Sequence, residues 1–142
     1  MGSVGMDAIT VTPLARIATA GGDVLHALKQ QDQGFSGFGE AYFSLAAPGA
    51  VKAWKIHKRM TMNVVVPIGS VRFVFHLQGV DAYRVEDIGA DRYVRLTVPP
   101  GIWFGFKGLG ASENLILNIA DIAHDPAEVD RLPIAEINYS WS

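Results

Sequence analysis

The chain has 142 residues, 49% of them hydrophobic and 18% charged, and its 12 lysines and arginines against 14 acids give a formal net charge of −2. That is one ordinary domain's worth of chain, too apolar for disorder and too weakly basic for nucleic-acid binding driven by bulk charge. The absence of cysteine excludes disulfide scaffolds, thiolate metal sites and cysteine nucleophiles together and suits a reducing cytoplasm, while no apolar run approaches the ~20 residues of a membrane-spanning helix.

The opening Met1-Gly2-Ser3-Val4-Gly5 reads as a vector-derived remnant ahead of a native Met6, leaving residues 6–142 as one domain. Asp23–Gln31 predicts a short helix, with Val24, Leu25 and Leu28 at helical spacing behind an Asp23 cap. From there the pattern turns to strands. Ala41–Leu45, Val51–Ile56 and Met62–Val66 predict three, and Val71–Leu77 a fourth with Val71, Phe73, Phe75 and Leu77 on one face. Tyr93–Val98 predicts a fifth, stopped by Pro99-Pro100-Gly101, and Leu115–Ile119 a sixth, apolar enough for burial on both faces. Pro126–Leu132 predicts a helical turn or two with proline at its first position. Short strands at roughly ten-residue spacing, punctuated by glycine and proline, predict an all-β sandwich or jelly-roll barrel with short peripheral helices.

Charge is concentrated at one place. Lys52, Lys55, Lys58 and Arg59 fall together with Trp54 and His57 on a predicted strand and its exit turn. Such a segment is either a solvated edge strand or an anion site, where several cations beside an aromatic suit a phosphate or diphosphate. Strict alternation puts Lys55 and His57 on one face and Lys52 on the other, so only a bulge or bend brings Lys52 and Lys55 to the same cavity. The acids after residue 120 (Asp121, Asp125, Glu128, Asp130 and Glu136) read mainly as a solvated rim.

Two spacings carry a resemblance. Gly49, then five residues, Lys55-Ile56-His57, Thr61 or Met62, and finally Gly69 keep the frame of the first metal-binding motif of cupins. Pro99-Pro100-Gly101-Ile102-Trp103-Phe104 keeps the frame of the second. The frames match and the ligands do not, since lysine, threonine or methionine, and phenylalanine replace all but His57. The chain resembles a cupin, a double-stranded β-helix, that uses no metal and no other cofactor.

Within that superfamily it is similar to the dTDP-4-dehydrorhamnose 3,5-epimerases and the dTDP-sugar 3,4-ketoisomerases. Phe38-Gly39-Glu40-Ala41-Tyr42 matches the epimerases' Phe-x-Glu-x-Tyr strand. Residues 49–58 occupy the place of their Gly-Val-x-Arg-Gly-Leu-His strand and also resemble the ketoisomerases' Arg-Gly-x-His-Ala-His-Lys. Val98-Pro99-Pro100-Gly101-Ile102-Trp103-Phe104-Gly105-Phe106 parallels Ile-Pro-Pro-Gly-x-x-His-Gly-Phe, and Asp121 through Pro126 takes the place of Asp-Tyr-Tyr-x-Pro. Against the epimerase pattern, Lys55 stands for the catalytic histidine, Lys52 for the substrate-binding arginine, and Ile122-Ala123-His124 for the catalytic tyrosine segment. The arginine of Asp-x-Arg-Gly-Phe is absent from Asp32-Gln33-Gly34-Phe35.

The resemblance implies a cytoplasmic homodimer acting on a nucleotide sugar in surface polysaccharide biosynthesis. The implied reaction is epimerisation or isomerisation of an NDP-4-keto-sugar; the other reading is a non-catalytic sugar- or nucleotide-binding module. His57 is the natural base because its ordinary pKa of ~6.5 lies near working pH. Lys55 either shares proton transfer, which needs its pKa lowered, or holds an enolate or diphosphate while charged. Tyr42 is a candidate acid from a facing strand. Lys52 and Arg59 are candidates for the diphosphate, Glu40 for the sugar, Arg72 and His76 for a shared cavity face, and Trp103 for stacking at the barrel mouth.

Overall fold

The apolar runs end at glycines and prolines, and the chain reverses there. The computed structural model describes residues 5–142, so most of the expected vector remnant lies outside the described residues. Short strands β1 (Thr10–Pro13), β2 (Arg16–Ile17) and β3 (Val24–Leu25) come first. They are followed by β4 (Glu40–Ala46), β5 (Val51–His57), β6 (Met62–Ile68), β7 (Ser70–His76) and β8 (Tyr83–Gly89). The chain continues through β9 (Val94–Val98), β10 (Trp103–Gly108), β11 (Asn114–Ala120) and β12 (Val129–Arg131). All six predicted strands are present, as β4, β5, β6, β7, β9 and β11.

From β4 to β11 the antiparallel pairing is nested: β4 with β11, β5 with β10, β6 with β9, and β7 with β8. A single long hairpin rolled over on itself gives that order, which is a jelly roll. One sheet runs β1-β9-β6-β11-β4 and the other β12-β5-β10-β7-β8. Alternation turns Val64, Val66, Leu96, Val98 and Ile116 of the first sheet toward Val71, Phe73, Phe75, Ile88 and Phe104 of the second. Each such side chain stabilises the fold by roughly 1.5–3 kcal/mol on burial. The outer face of β11 (Leu115, Leu117, Ile119) is only half-buried, so this strand is covered on one side and not on both as its composition suggests.

Neither predicted α-helix forms. Within Asp23–Gln31, Asp23 pairs with Arg16 at 3.0 Å instead of capping a helix. The carbonyls of His26 and Ala27 accept hydrogen bonds from Tyr93 Oη (2.8 Å) and Arg95 Nη1 (2.8 Å). Those carbonyls belong to a clamp on the outer sheet face, in which buried Arg95 also reaches Asn63 and Asp32. Tertiary partners thus replace the helical ladder. Of the predicted Pro126–Leu132 helix only Pro126–Glu128 winds, as a single 3-10 turn capped by Asp125, which accepts from Ala127 N at 3.0 Å. Residues 129–131 then become β12, because the edge of β5 offers a full ladder (Val129 opposite His57, Arg131 opposite Lys55).

The pairing of β5 with β10 skips one residue. Lys55 lies opposite Phe104 and Lys52 opposite Phe106, but Gly105 lies opposite Ala53, so Trp54 has no partner across the ladder. Phe104 and Phe106 face inward, and opposed residues share a face, so the bulge puts Lys52 and Lys55 on the same inner face. Simple alternation is overturned here. Trp54, Ala53 and Ile56 turn outward instead, under the tail residues Ile137, Tyr139 and Trp141. Gly105 permits the approach: a Cβ there would sit 2.5 Å from Ala53 Cβ and 3.1 Å from the Trp141 ring. Gly105→Ala is expected to lower unfolding free energy by about 1–3 kcal/mol as an overpacked site, measured by urea titration.

Candidate functional site

Between the two sheets, beside the packed core, a cavity of about 390 Å³ is lined by Tyr42, Lys52, Lys55, Phe104, Phe106 and Asn118 among others. A second, of about 250 Å³, is lined by Glu40, His57, Met60 and His124. Tyr42, Lys55 and Arg131 line both, so the two spaces meet at those side chains. The basic strand therefore forms a wall of the interior.

His57 ends β5 and is only 6% exposed. Its Nδ1 lies 2.7 Å from Glu128 Oε2, and its ring stacks on Phe104 at 5.9 Å between centroids. The backbone at this position is held by Gly101, whose N–H donates to the His57 carbonyl at 2.8 Å. Gly101 has φ of +92°, which the Pro-Pro-Gly turn reserves for glycine. Glu128 is buried too, and its Oε1 accepts from the backbone N–H groups of Met60 (3.0 Å) and Arg59 (3.4 Å). Burial alone raises the Glu128 pKa, but the bonds from His57, Met60 and Arg59 outweigh it and hold the carboxyl below its ordinary range.

Burial also lowers the pKa of His57, reinforced by the charges of Lys55 and Arg131 and opposed by Glu128. The ring is therefore neutral near pH 7, donating Nδ1–H to the carboxylate. Nε2 is left buried with no hydrogen-bond partner among the described residues, as is Asn118 Oδ1. A neutral imidazole with a free Nε2, backed by a carboxylate, is a general base.

Lys55 has its pKa lowered by burial first, then by Arg131 and Lys52, against the pull of Glu128. Among the described residues neither Lys55 nor Arg131 makes an ion pair. Lys52 Nζ donates to the Leu45 carbonyl at 3.3 Å. Tyr42, on the facing sheet, accepts from Asn118 Nδ2 at 3.1 Å, leaving its hydroxyl proton free to donate.

The structure thus brings together Glu40, Tyr42, Lys52, Lys55 and His57. It places four other candidates elsewhere. Arg59 projects outward to pair with Asp125 at 2.9 Å. Arg72 is held on the outer face by a two-pronged contact to Asp87 at 2.8 and 2.9 Å. His76 stacks on Tyr83, and Trp103 packs under the tail with Trp54 and Ile137. Sequence reasoning misses Arg131 and the role of Glu128. Arg131 falls in an expected helix and Glu128 among acids that read as a solvated rim; no local spacing links it to a histidine 71 positions away. The cupin metal frame holds Lys55, His57, Thr61 or Met62, and Phe104, among which His57 alone supplies an imidazole, and its Nδ1 is taken by Glu128. Among the described residues no group of three His, Cys, Asp or Glu could hold a metal ion.

No protein-family model matches the chain. A dTDP sugar isomerase from Desulfovibrio desulfuricans G20 is 35% identical in sequence, with a TM-score of 0.88 over 94% of this chain and 90% of that one. The chain belongs to the dTDP-sugar isomerase family. The spore coat polysaccharide biosynthesis protein SpsL of Bacillus subtilis (strain 168) is 23% identical over 146 residues, 96% of this chain and 97% of SpsL. Two further solved structures, each 16% identical, share the fold. The sugar 3,4-ketoisomerase QdtA of Thermoanaerobacterium thermosaccharolyticum has a TM-score of 0.76 over 90% of each chain. The dTDP-4-dehydrorhamnose 3,5-epimerase of Sulfolobus tokodaii has 0.79 over 97% of this chain and 84% of that one. The cupin jelly roll expected from the motif frames is therefore the fold of this chain.

In a titration followed by imidazole NMR, His57 is expected to protonate below the ordinary value of ~6.5. Glu128→Gln removes the one charge that favours the imidazolium, so it is expected to move that pKa further down. Both folded-state pKa values are depressed, so the unfolded chain binds these protons first as pH falls. The stability they contribute is complete above about pH 7 and is lost as pH falls through the histidine and then the carboxylate range.

Proposed function

We propose that this protein is an epimerase or isomerase of an NDP-4-keto-sugar, dTDP-linked as in its 35%-identical relative, and serves surface polysaccharide biosynthesis. The observation that carries the reading is a neutral His57 backed by buried Glu128 in a cavity also lined by Lys55 and Arg131, which join it to the larger cavity that Lys52 lines. A hydrogen next to a ketone is weakly acidic, and its removal needs a base on carbon and positive charge at the oxygen that becomes an enolate.

His57 Nε2 takes the proton. The imidazolium formed is stabilised by Glu128, which is already aligned and needs no reorganisation. Lys55 supports the enolate oxygen, and Lys52 with Arg131 takes the diphosphate. Tyr42 and Glu40 orient the sugar from the opposite wall. This chemistry asks nothing of a metal, in keeping with the donor set. The cysteine-free chain suits the cytoplasm, and no helix among the described residues is long and apolar enough to cross a membrane.

With a dTDP-4-keto-6-deoxy-sugar in D2O, wild-type protein is expected to exchange hydrogen at a carbon next to the ketone. His57→Asn is expected to slow that exchange by about 10²–10⁴-fold with binding retained. Binding without exchange by the wild type would leave a nucleotide-sugar binding module instead.

The homodimer expected from the family resemblance is supported by β4, which ends its sheet and carries Phe43 and Leu45, 65% and 50% exposed, on its outer face. Phe43→Glu is expected to convert the dimer to monomer in light scattering; a wild-type monomer would end that reading.

A further inference from the structure

We propose that Lys55 carries the oxygen-side proton of a 3,4-ketoisomerisation, moving it between O4 and O3 of the sugar while His57 moves hydrogen from C3 to C4. The inference rests on the keto-sugar reading above and names the reaction within it. The supporting geometry is the placement of two proton carriers on one wall. Lys55 and His57 are two residues apart on β5 with both side chains inward, so their Cα atoms are about 6.6 Å apart along the strand. Lys55 stands where the two cavities meet and His57 at the wall of the smaller one. A carbon and the oxygens of an adjacent pair of sugar carbons can be reached from that one side.

The two halves of the reaction balance. His57 Nε2 takes the hydrogen from C3, the C3–H electrons form the C3=C4 bond, and the C4 oxygen takes a proton from the Lys55 ammonium. The result is an enediol beside an imidazolium and a neutral amine. The amine then takes the O3 proton, O3 becomes the new ketone, and the double-bond electrons take the proton of His57 at C4. Both side chains return to their starting states.

The oxygen-side group must be able both to lose and to regain a proton. Lys55 suits that because burial and its neighbours disfavour its charge. Facing it are Lys52 and His57 on its own strand, Arg131 on β12, Glu128 on the preceding turn, Glu40 and Tyr42 on β4, and His124 after β11. Arginine in the same place would keep the charge that holds an enolate oxygen but could not give up its proton.

Wild type, Lys55→Arg and Lys55→Met are to be compared with the dTDP-4-keto-6-deoxy-sugar in D2O by NMR. Wild type should form the 3-keto sugar, with a rate that falls on the alkaline side at a pKa below the ordinary lysine value of ~10.4. Lys55→Arg should keep C3 exchange within about tenfold while forming 3-keto product at least about 100-fold more slowly. Lys55→Met should lose both. Product formation by Lys55→Arg at the wild-type rate, or a wild type that yields only C3 or C5 epimers, overturns the proposal. A wild type inert toward the sugar overturns the parent reading with it, and that outcome is seen before any variant is needed. The alkaline limb of the wild-type rate tests the role of Lys55 independently of how the variants fold: its absence up to the ordinary lysine range overturns the proposal.

Discussion

A buried carboxylate is the constraint around which this site is built. Glu128 is 3% exposed, and an unpaired charge there would cost several kcal/mol. Its two oxygens instead accept from the imidazole of His57 and from the backbone N–H groups of Met60 and Arg59. Those donors come from the end of β5 and from the turn that follows it, and Glu128 itself leads into β12. The three bonds therefore fix where β5 ends, how the chain leaves it, and which segment closes its free edge. They also choose the His57 tautomer, and with it which nitrogen is free for chemistry. Structure and reactivity rest here on the same contact.

The second constraint is repulsive. Lys52, Lys55 and Arg131 converge on connected cavities, and neither Lys55 nor Arg131 has a counter-ion among the described residues. Several other cations of the chain are paired, Arg72 with Asp87 and Arg59 with Asp125 among them. Like charges held together in a partly buried space destabilise the folded chain. An anionic ligand relieves that repulsion on binding, so the site favours a diphosphate for the same reason that its lysine is easily deprotonated. The β5 bulge creates this arrangement; without it alternation would put Lys52 on the outer face with Trp54, away from the cavity.

Much of the barrel is legible because its information is local. Val71, Phe73 and Phe75 alternate onto the core face of β7 as their spacing requires, and Pro99-Pro100-Gly101 stops β9 where its dihedral restrictions demand. The misread segments share a cause. Asp23–Gln31 and Pro126–Leu132 both have helical spacing, and both give it up to partners distant in sequence: Tyr93 and Arg95 for the first, the edge of β5 for the second. Propensity over so few residues amounts to tenths of a kcal/mol per position, which a clamp of buried hydrogen bonds outweighs.

The sequence by itself determined an all-β chain, the order of its main strands and the concentration of cations beside a single histidine. Alternation and turn residues act within a few positions, so one-dimensional spacing records them. Only the tertiary structure decided which of those charges meet. Lys52 joins Lys55 through a bulge set by the approach of Gly105 to Ala53, Arg131 arrives on an edge strand, and Glu128 crosses 71 positions to reach His57. Each of these depends on backbone pairing between distant segments, and no local pattern encodes a contact whose two halves are fixed by separate strands.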